Sequence, residues 1–350
     1  MSDPAHDETE ALLAALEKRI TEEYRQAEQE IQAKLDDYLK RFKKKDETWQ
    51  KWVEQGKKTK KQYSNWRIGQ IAMGKRWREM KQTIAEDMAN ANQIARSIIF
   101  GHMPEVYAIN HAYGTFETEK GSMIDTSYTL YNREAVEHIL KDRKIYPGPG
   151  KQTLEAINSG EIIRWNKQQV QSVMLQGILQ GESMADIATR LARKVGESNR
   201  KAAIRNARTM TTGVEAAGRI DAYKRAERLG VDMVQEWLAA HDLRTRHAHR
   251  MLDGQRRLVG HPFEVDGYEI RYPGDPNAPG YLIYNCRCTV RGIVAGLEPQ
   301  ARKYRSDKDL GGMTWEEWRE QKESESNPIT LPEEKARAIK WSYIKEYRTL

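Results

Sequence analysis

The sequence predicts a mostly α-helical α+β protein, with long N-terminal helices followed by a compact domain of helices and a small β-sheet. Three observations predict it. Large or apolar side chains recur at Leu13, Leu16, Ile20, Tyr24, Ala27, Ile31, Leu35, Tyr38 and Phe42. Their gaps of three, four and four residues average about 3.6, which describes one face of a nearly straight helix. Helix-start residues and glycine stops punctuate the stretch from Asn166 to Gly230. Alternating and turn-rich segments gather between Val231 and Val294.

Propensity alone holds a long helix poorly, so the first one needs a partner surface, either the next helix of the same chain or another subunit. No cover for its apolar face is evident in the chain, and this region is expected to rearrange on assembly. From Phe42 to Arg78 lysines cluster (Lys43, Lys44, Lys45, Lys57, Lys58, Lys60, Lys61), with Trp49, Trp52, Tyr63, Trp66 and Trp77 interleaved. Helix continues over Asp87 to Gly101 and Met103 to Gly114. Gly121 to Tyr131 reads as extended, and Asn132 caps a short helix through Lys141. Tyr146 to Gly150, a Pro/Gly run, marks a boundary. The organisation is therefore residues 1–120, a long helical region; 121–150, a short helix and linker; 151–297, a compact domain; and 298–350, a helical tail.

Within the compact domain, Asn166 is read as the N-cap of a helix ending at Gly181. Ser183 and Asp186 open a second helix that stops near Gly196, and Ser198 caps a third running to Leu229 before Gly230. Small residues in the third (Ala203, Ala207, Gly213, Ala216, Ala217, Gly218) allow close approach of another helix. Val231 to Leu238 reads as a strand. Turns follow at Asp253-Gly254, Asp266-Gly267 and Pro273 to Pro276, then one or two strands over Tyr281 to Val294. Thr314 and Glu317 form a capping box for a tail helix, and Pro332 opens another.

With 350 residues the chain can bury at least one sizeable core. Charged residues make up 31% and mean hydropathy is −0.83, which suits extensive solvated helical surface. No apolar run approaches the roughly 20 residues that cross a bilayer. The acidic start lacks the order of a secretory signal, so no membrane partner is expected. Cys286 and Cys288, the two cysteines, are too close in sequence for an unstrained bridge, which excludes a disulfide framework. A net charge of +7 permits nucleic-acid contact without demanding it.

Two sets of residues could carry chemistry. Lys57, Lys58, Lys60, Lys61 and Trp66 could follow phosphates and stack on bases, or form a solvated face or protein contact whose tryptophans pack inward. His249 could approach the side of a strand shared by Cys286 and Cys288. That set is open between a zinc site, with His247 or His241 as fourth ligand, and two small thiols beside a hydrogen-bonded histidine. A hydrolase built on His247, His249 and Asp253 has no accompanying metalloprotease helix motif, carboxylate pair or nucleophile elbow.

The stretch HDLRTRHAHRMLDG (His241 to Gly254), preceded by EWLA and a long helix and followed by PGDP and NCRC, resembles phage Mu protein F-like head-morphogenesis proteins. The resemblance covers Arg164 to Ile293 and extends more weakly over Thr129 to Lys141. It makes 151–297 the head-morphogenesis domain. It implies a minor head protein, not an enzyme, that associates with the phage portal protein and other head proteins. Such a protein would sit in the virion head interior beside packaged double-stranded DNA, after assembly in the host cytoplasm. It would assist head assembly, DNA packaging or genome delivery. The domain is sometimes grouped remotely with ADP-ribosyltransferase-like folds, but no motif here matches a catalytic residue of those. The motif residues are Asp242, Arg244, His249, Asp253, Gly254, Asn285, Cys286, Arg287 and Cys288. Asp242 is expected to pair with Arg244 or Arg246. In many relatives cysteines stand where Arg246 and His249 stand here, and a histidine often precedes NCRC, which suits zinc. Here Arg246 and Tyr284 or Ile283 replace the other ligands, so no cofactor beyond a possible zinc is expected.

Overall fold

The structure, a computed structural model, describes residues 3–73, 75–122, 128, 130, 136, 161–180, 182, 184–295 and 313–325. The helices are α1 (Pro4–Glu54), α2 (Lys60–Met73), α3 (Lys75–Ser122), α4 (Glu161–Leu179) and α5 (Met184–Arg228). They are followed by β1 (Met233–Leu238), α6 (His247–Leu252), β2 (Arg256–Leu258), β3 (Phe263–Val265) and β4 (Tyr268–Ile270). Then come α7 (Gly280–Ile283), β5 (Thr289–Val294) and α8 (Trp315–Glu325). The mostly helical α+β reading holds. The linker at 146–150 and the helix after Pro332 lie outside the described residues. So do the helix at 132–141, apart from Val136, and most of the extended stretch, whose first residues Gly121 and Ser122 end α3.

The chain divides into two compact units. One comprises residues 18–97 and 150–204, the other 1–17, 98–149 and 205–350. The long helices contribute to both.

In the first unit the α1 stripe from Ile20 to Leu35 is buried, and Phe42 and Leu39 continue it. The expected lack of cover is corrected, because α3 and α5 of the same chain lie against it. Lys34 pairs with Asp87 at 2.7 Å, and the position of a Cβ on Gly196 would meet the Glu28 side chain at 2.3 Å. Each such fully buried Leu or Ile contributes about 1.5–3 kcal/mol. That close approach also explains why α5 runs unbroken through Gly196 and Ser198, where two helices were expected. A helical glycine costs about 1 kcal/mol, and tertiary packing outweighs it.

Asn166 is not an N-cap. α4 begins at Glu161, and Asn166 is buried inside it. It accepts from Asn199 Nδ2 (3.1 Å), Asn199 Oδ1 accepts from Asn92 Nδ2 (2.8 Å), and Asn92 Oδ1 accepts from the Tyr24 hydroxyl. This neutral chain fastens four helices in one register, since a slip would leave buried amides unsatisfied.

In the second unit α3 and α5 touch through small residues. A Cβ on Gly218 would lie 2.8 Å from the Tyr107 carbonyl oxygen and 3.1 Å from the His111 nitrogen. The small-residue stretch is thus a close-packing surface, as read. An antiparallel sheet in the order β2-β1-β5 follows, with a separate β3-β4 hairpin. β1 pairs with β5 from Met233↔Val294 to Leu238↔Thr289. Asp266 (φ 52°) and Gly267 (φ 77°) make the two left-handed residues of the β3–β4 turn, the chemistry that Asp-Gly favours. Tyr281, expected in a strand, lies in the short α7, while β5 matches the expected strand end. At α8 the Thr314 nitrogen donates to Glu317 Oε2 (2.7 Å) and the Glu317 nitrogen to Thr314 Oγ1 (3.1 Å), a complete capping box.

Candidate functional site

The motif residues converge on the loops around β1, α6 and the start of β5. Trp237 on β1 is fully buried and meets the edges of Phe263 (5.4 Å) and His249 (5.7 Å). Beside it Glu236 is buried and accepts two bonds from Arg291 of β5, 2.9 and 2.7 Å. Asp275 of the PGDP turn is buried and takes both Arg271 guanidinium contacts, together with the Asn277 nitrogen. Gly274 in that turn has φ 77°, and the position of a Cβ on it would meet the Gly213 nitrogen at 2.6 Å. The PGDP turn and the glycine of α5 therefore require each other sterically.

Asp242 builds the loop between β1 and α6. Its carboxylate accepts from the Arg244 nitrogen (2.9 Å) and the Thr245 hydroxyl (3.1 Å), an Asx-type turn. Its main partner is Arg287 of the NCRC element, which donates to both carboxylate oxygens, at 2.8 Å to Oδ1. That hydrogen bond holds the Asp242 carboxyl far below the usual carboxylate range. The charge-assisted side-chain hydrogen bond expected from Arg244 or Arg246 comes from Arg287 instead. The Arg244 guanidinium comes only to 3.8 Å, a loose ion pair beyond hydrogen-bond distance, and Arg246 donates instead to the Tyr284 carbonyl. Bidentate geometry favours the arginine whose fork meets both oxygens.

Asp253 accepts from the Ala239 nitrogen at 3.0 Å and faces His241 at 3.3 Å. Gly254 takes φ 74° and donates to the Trp237 carbonyl (2.9 Å), which closes the turn. Asn285 also sits in the left-handed region (φ 54°), and its nitrogen donates to Thr209 Oγ1 on α5.

His249, Cys286 and Cys288 do come together. His249 Nδ1 lies 3.2 Å from Cys288 Sγ and 3.5 Å from Cys286 Sγ, while His249 Nε2 donates to the Leu282 carbonyl at 2.6 Å. All three are buried, and their ligand atoms lie within 4.8 Å of one another. Burial pushes the Cys286 thiol up, and its hydrogen bond to Cys288 pulls the second thiol down. Neither proposed fourth ligand joins them. His247 is two residues from His249, so it points to the opposite side of α6 and is exposed. His241 is largely exposed and turned to Asp253. The hydrolase set is likewise not assembled, because His249 faces the core sulfurs and Asp253 faces His241. The three donors nonetheless fit a thiophilic ion in number, type and spacing.

The lysine and tryptophan set lies at the α1–α2 turn. Thr59 and Gln62 cap α2 reciprocally, at 2.9 and 3.1 Å. Lys57, Lys60 and Lys61 are exposed, whereas Lys58 is half-buried with its ammonium 5.7 Å from the Trp49 ring centre. Trp66 stacks on Phe42 (5.3 Å) and Trp49 (5.2 Å), so its flat surface is used inside the hairpin. Trp77 is fully buried and donates to Gln171.

One polar centre had no place in the sequence reading. Arg219 is fully buried and donates to Asp3 (2.5 and 2.8 Å), Asn110 (2.9 Å) and the Val290 carbonyl (3.2 Å). Glu215, one helical turn away, accepts from Thr289 (2.7 Å) and pairs with His6 at 2.8 Å. The charge of Glu215 raises His6 to about 9. Burial lifts Glu117, bonded by the Tyr223 hydroxyl, to about 7. Burial opposes ionisation of Asp3, but Arg219 beside it keeps its carboxyl low. The local signal was a pair of opposite charges four apart, Glu215 and Arg219, on an otherwise small and apolar stretch.

Residues 168–291 match the family described as Phage Mu protein F like protein. The chain is 31% identical over 158 residues to "Minor head protein GP7" of Bacillus phage SPP1, which covers 43% of this chain and 49% of that protein. It is 28% identical over 211 residues to "NAD(+)--arginine ADP-ribosyltransferase EFV" of Enterococcus faecalis, which covers 59% of this chain and 41% of that protein. The chain thus spans less than half the length of either relative. No solved structure matches it. No described helix is long and apolar enough to cross a membrane. The family match falls on the elements that hold the Trp237, Asp242–Arg287 and PGDP contacts, so it is this part of the chain, residues 168–291, that is similar to the phage Mu protein F like family.

Proposed function

We propose that the chain is a minor head protein that acts at the portal vertex inside the procapsid, with a structural role and no catalysis of its own. The observation that carries this reading is how the motif residues are used. Asp242, Arg287, Asp275, Glu236 and Trp237 are engaged in internal contacts that tie the β1–α6 loop to the NCRC element, close the PGDP turn and join β1 to β5 and β3. Such residues build a rigid scaffold for docking, and a catalytic cleft would instead leave polar groups directed at a substrate. The likeness to a minor head protein supports the same reading. The chain spans 41% of the relative named as an ADP-ribosyltransferase, so the proposal does not take up that activity. Co-expression with the portal protein of the same phage, followed by size-exclusion chromatography with mass determination, tests the proposal. A complex of defined stoichiometry is expected. Separate elution at low and moderate salt would remove direct portal binding.

A second reading rests on the exposed lysines at the α1–α2 turn: this turn holds packaged double-stranded DNA through phosphate contacts. Base stacking is not part of it, since Trp66 is engaged with Phe42 and Trp49. Replacing Lys57, Lys58, Lys60 and Lys61 with Gln should weaken DNA binding and flatten its salt dependence. Unchanged binding would exclude this turn.

A further inference from the structure

We infer that His249, Cys286 and Cys288 form a structural zinc site that fastens α6 to the loop between α7 and β5. The inference is independent of the portal reading. It rests on the aim of three donors rather than on their mere proximity.

The histidine tautomer is assigned by its surroundings. Nε2 lies 2.6 Å from the Leu282 carbonyl oxygen, which can only accept, so Nε2 carries the proton. In the neutral ring Nδ1 is then the nitrogen with the free lone pair, and Nδ1 faces both sulfurs, at 3.2 and 3.5 Å. A backbone carbonyl on the far nitrogen is the usual way a metal-bound histidine is oriented. Zinc bonds of about 2.1 Å to nitrogen and 2.3 Å to sulfur, at tetrahedral angles, place nitrogen and sulfur about 3.6 Å apart. The two nitrogen–sulfur spacings found here, 3.2 and 3.5 Å, lie within a few tenths of an ångström of that, and all three ligand atoms lie within 4.8 Å of one another.

The backbone also serves the site. Cys286 follows Asn285, whose left-handed conformation turns the chain, and the Cys288 nitrogen donates to Cys286 Sγ at 3.4 Å. Such an N–H to sulfur bond favours thiolate. The Cys286 carbonyl accepts from Thr212 of α5 at 2.8 Å, which fixes the loop on the long helix. Binding of zinc displaces one proton from each thiol, and the two thiolates then balance the charge of the ion. Among the described residues no fourth His, Cys, Asp or Glu joins the three. Arg246 is the extended residue immediately before α6. It is committed to the Tyr284 carbonyl, which leaves the fourth vertex to a small ligand such as water.

The test uses the full-length chain, purified reduced and then stripped with a chelator. Addition of Co²⁺ as a spectroscopic substitute should produce a thiolate-to-cobalt charge-transfer band and a tetrahedral d–d band, both abolished by an equal amount of Zn²⁺. Metal analysis of the protein as isolated should find one zinc per chain. His249→Ala and Cys288→Ser should each reduce that content at least tenfold. Arg246→Cys supplies a fourth thiolate and should tighten zinc by at least tenfold against a competing chelator. A folded, reduced wild-type chain that gives no charge-transfer band and holds no stoichiometric zinc overturns the site. The cobalt readout is made on the wild type, so misfolding of a variant cannot decide it.

Discussion

The two compact units solve the same problem with different chemistry. In the unit of residues 18–97 and 150–204, the buried polar centre is neutral: Asn166, Asn199, Asn92 and Tyr24, one residue from each of four helices. In the other unit it is ionic: Arg219, Asp3, Glu215 and His6, with Glu117 and Tyr223 nearby. Both centres specify register, because a displaced helix would strand a buried donor or acceptor. They differ in what perturbs them. Amides do not titrate, so the asparagine chain is indifferent to pH, whereas the ionic cluster binds its helices together only in the right protonation state.

Four predictions break or sharpen this comparison. The largest effect should follow Arg219→Met. It leaves Asp3 and Glu215 buried without their guanidinium, and loss of one partner of a buried ion network costs about 3–5 kcal/mol. Urea unfolding should show that loss, and a change below about 1 kcal/mol would mean the cluster is not organised around Arg219. Asn199→Ala should cost less, about 2–3 kcal/mol, since only neutral amides lose partners. Hydrogen exchange should confine that loss to α4 and the neighbouring parts of α1, α3 and α5. Exchange that rises equally in the β-sheet would argue against separate units.

The pH dependence comes third. His6 is raised to about 9 in the folded chain, so its contribution is full below pH 6.5 and disappears as pH rises through 9. Glu117, raised to about 7, is held protonated by burial, and stability also falls as pH rises from 4.5 to 7. Both act in one direction because the folded chain binds more protons than the unfolded one. Stability should therefore decline by about 2 kcal/mol between pH 6.5 and 9. His6→Gln should flatten that decline, and an unchanged slope would detach it from the His6–Glu215 pair. The smallest effect is Thr314→Ala, which removes one half of the α8 capping box and costs about 1 kcal/mol. Helicity at α8 should fall while the β-sheet stays intact.

Features with local causes were legible from the sequence. The α1 stripe is a periodicity, the Thr314–Glu317 box spans one helical turn, and the Asp266-Gly267 turn needs only two left-handed residues. β1 and the strand ending at Val294 follow from alternation and neighbouring turns. The sequence by itself thus determined the helical character, the turn positions and the motifs that resemble those of head-morphogenesis proteins. Tertiary structure alone decided which polar residue meets which. Asp242 takes its bidentate guanidinium from Arg287, 45 residues away, and not from Arg244 or Arg246 beside it, because only that guanidinium reaches both carboxylate oxygens. Arg219 meets Asp3 across 216 residues, and Asn166 became a buried link when α4 started a turn earlier than its capping residue suggested. Gly196 reads as a stop but lies within α5, because the approach of α1 outweighs its local preference. Hydrogen bonds and ion pairs act over a few ångströms of space, and separation along the chain carries no record of them.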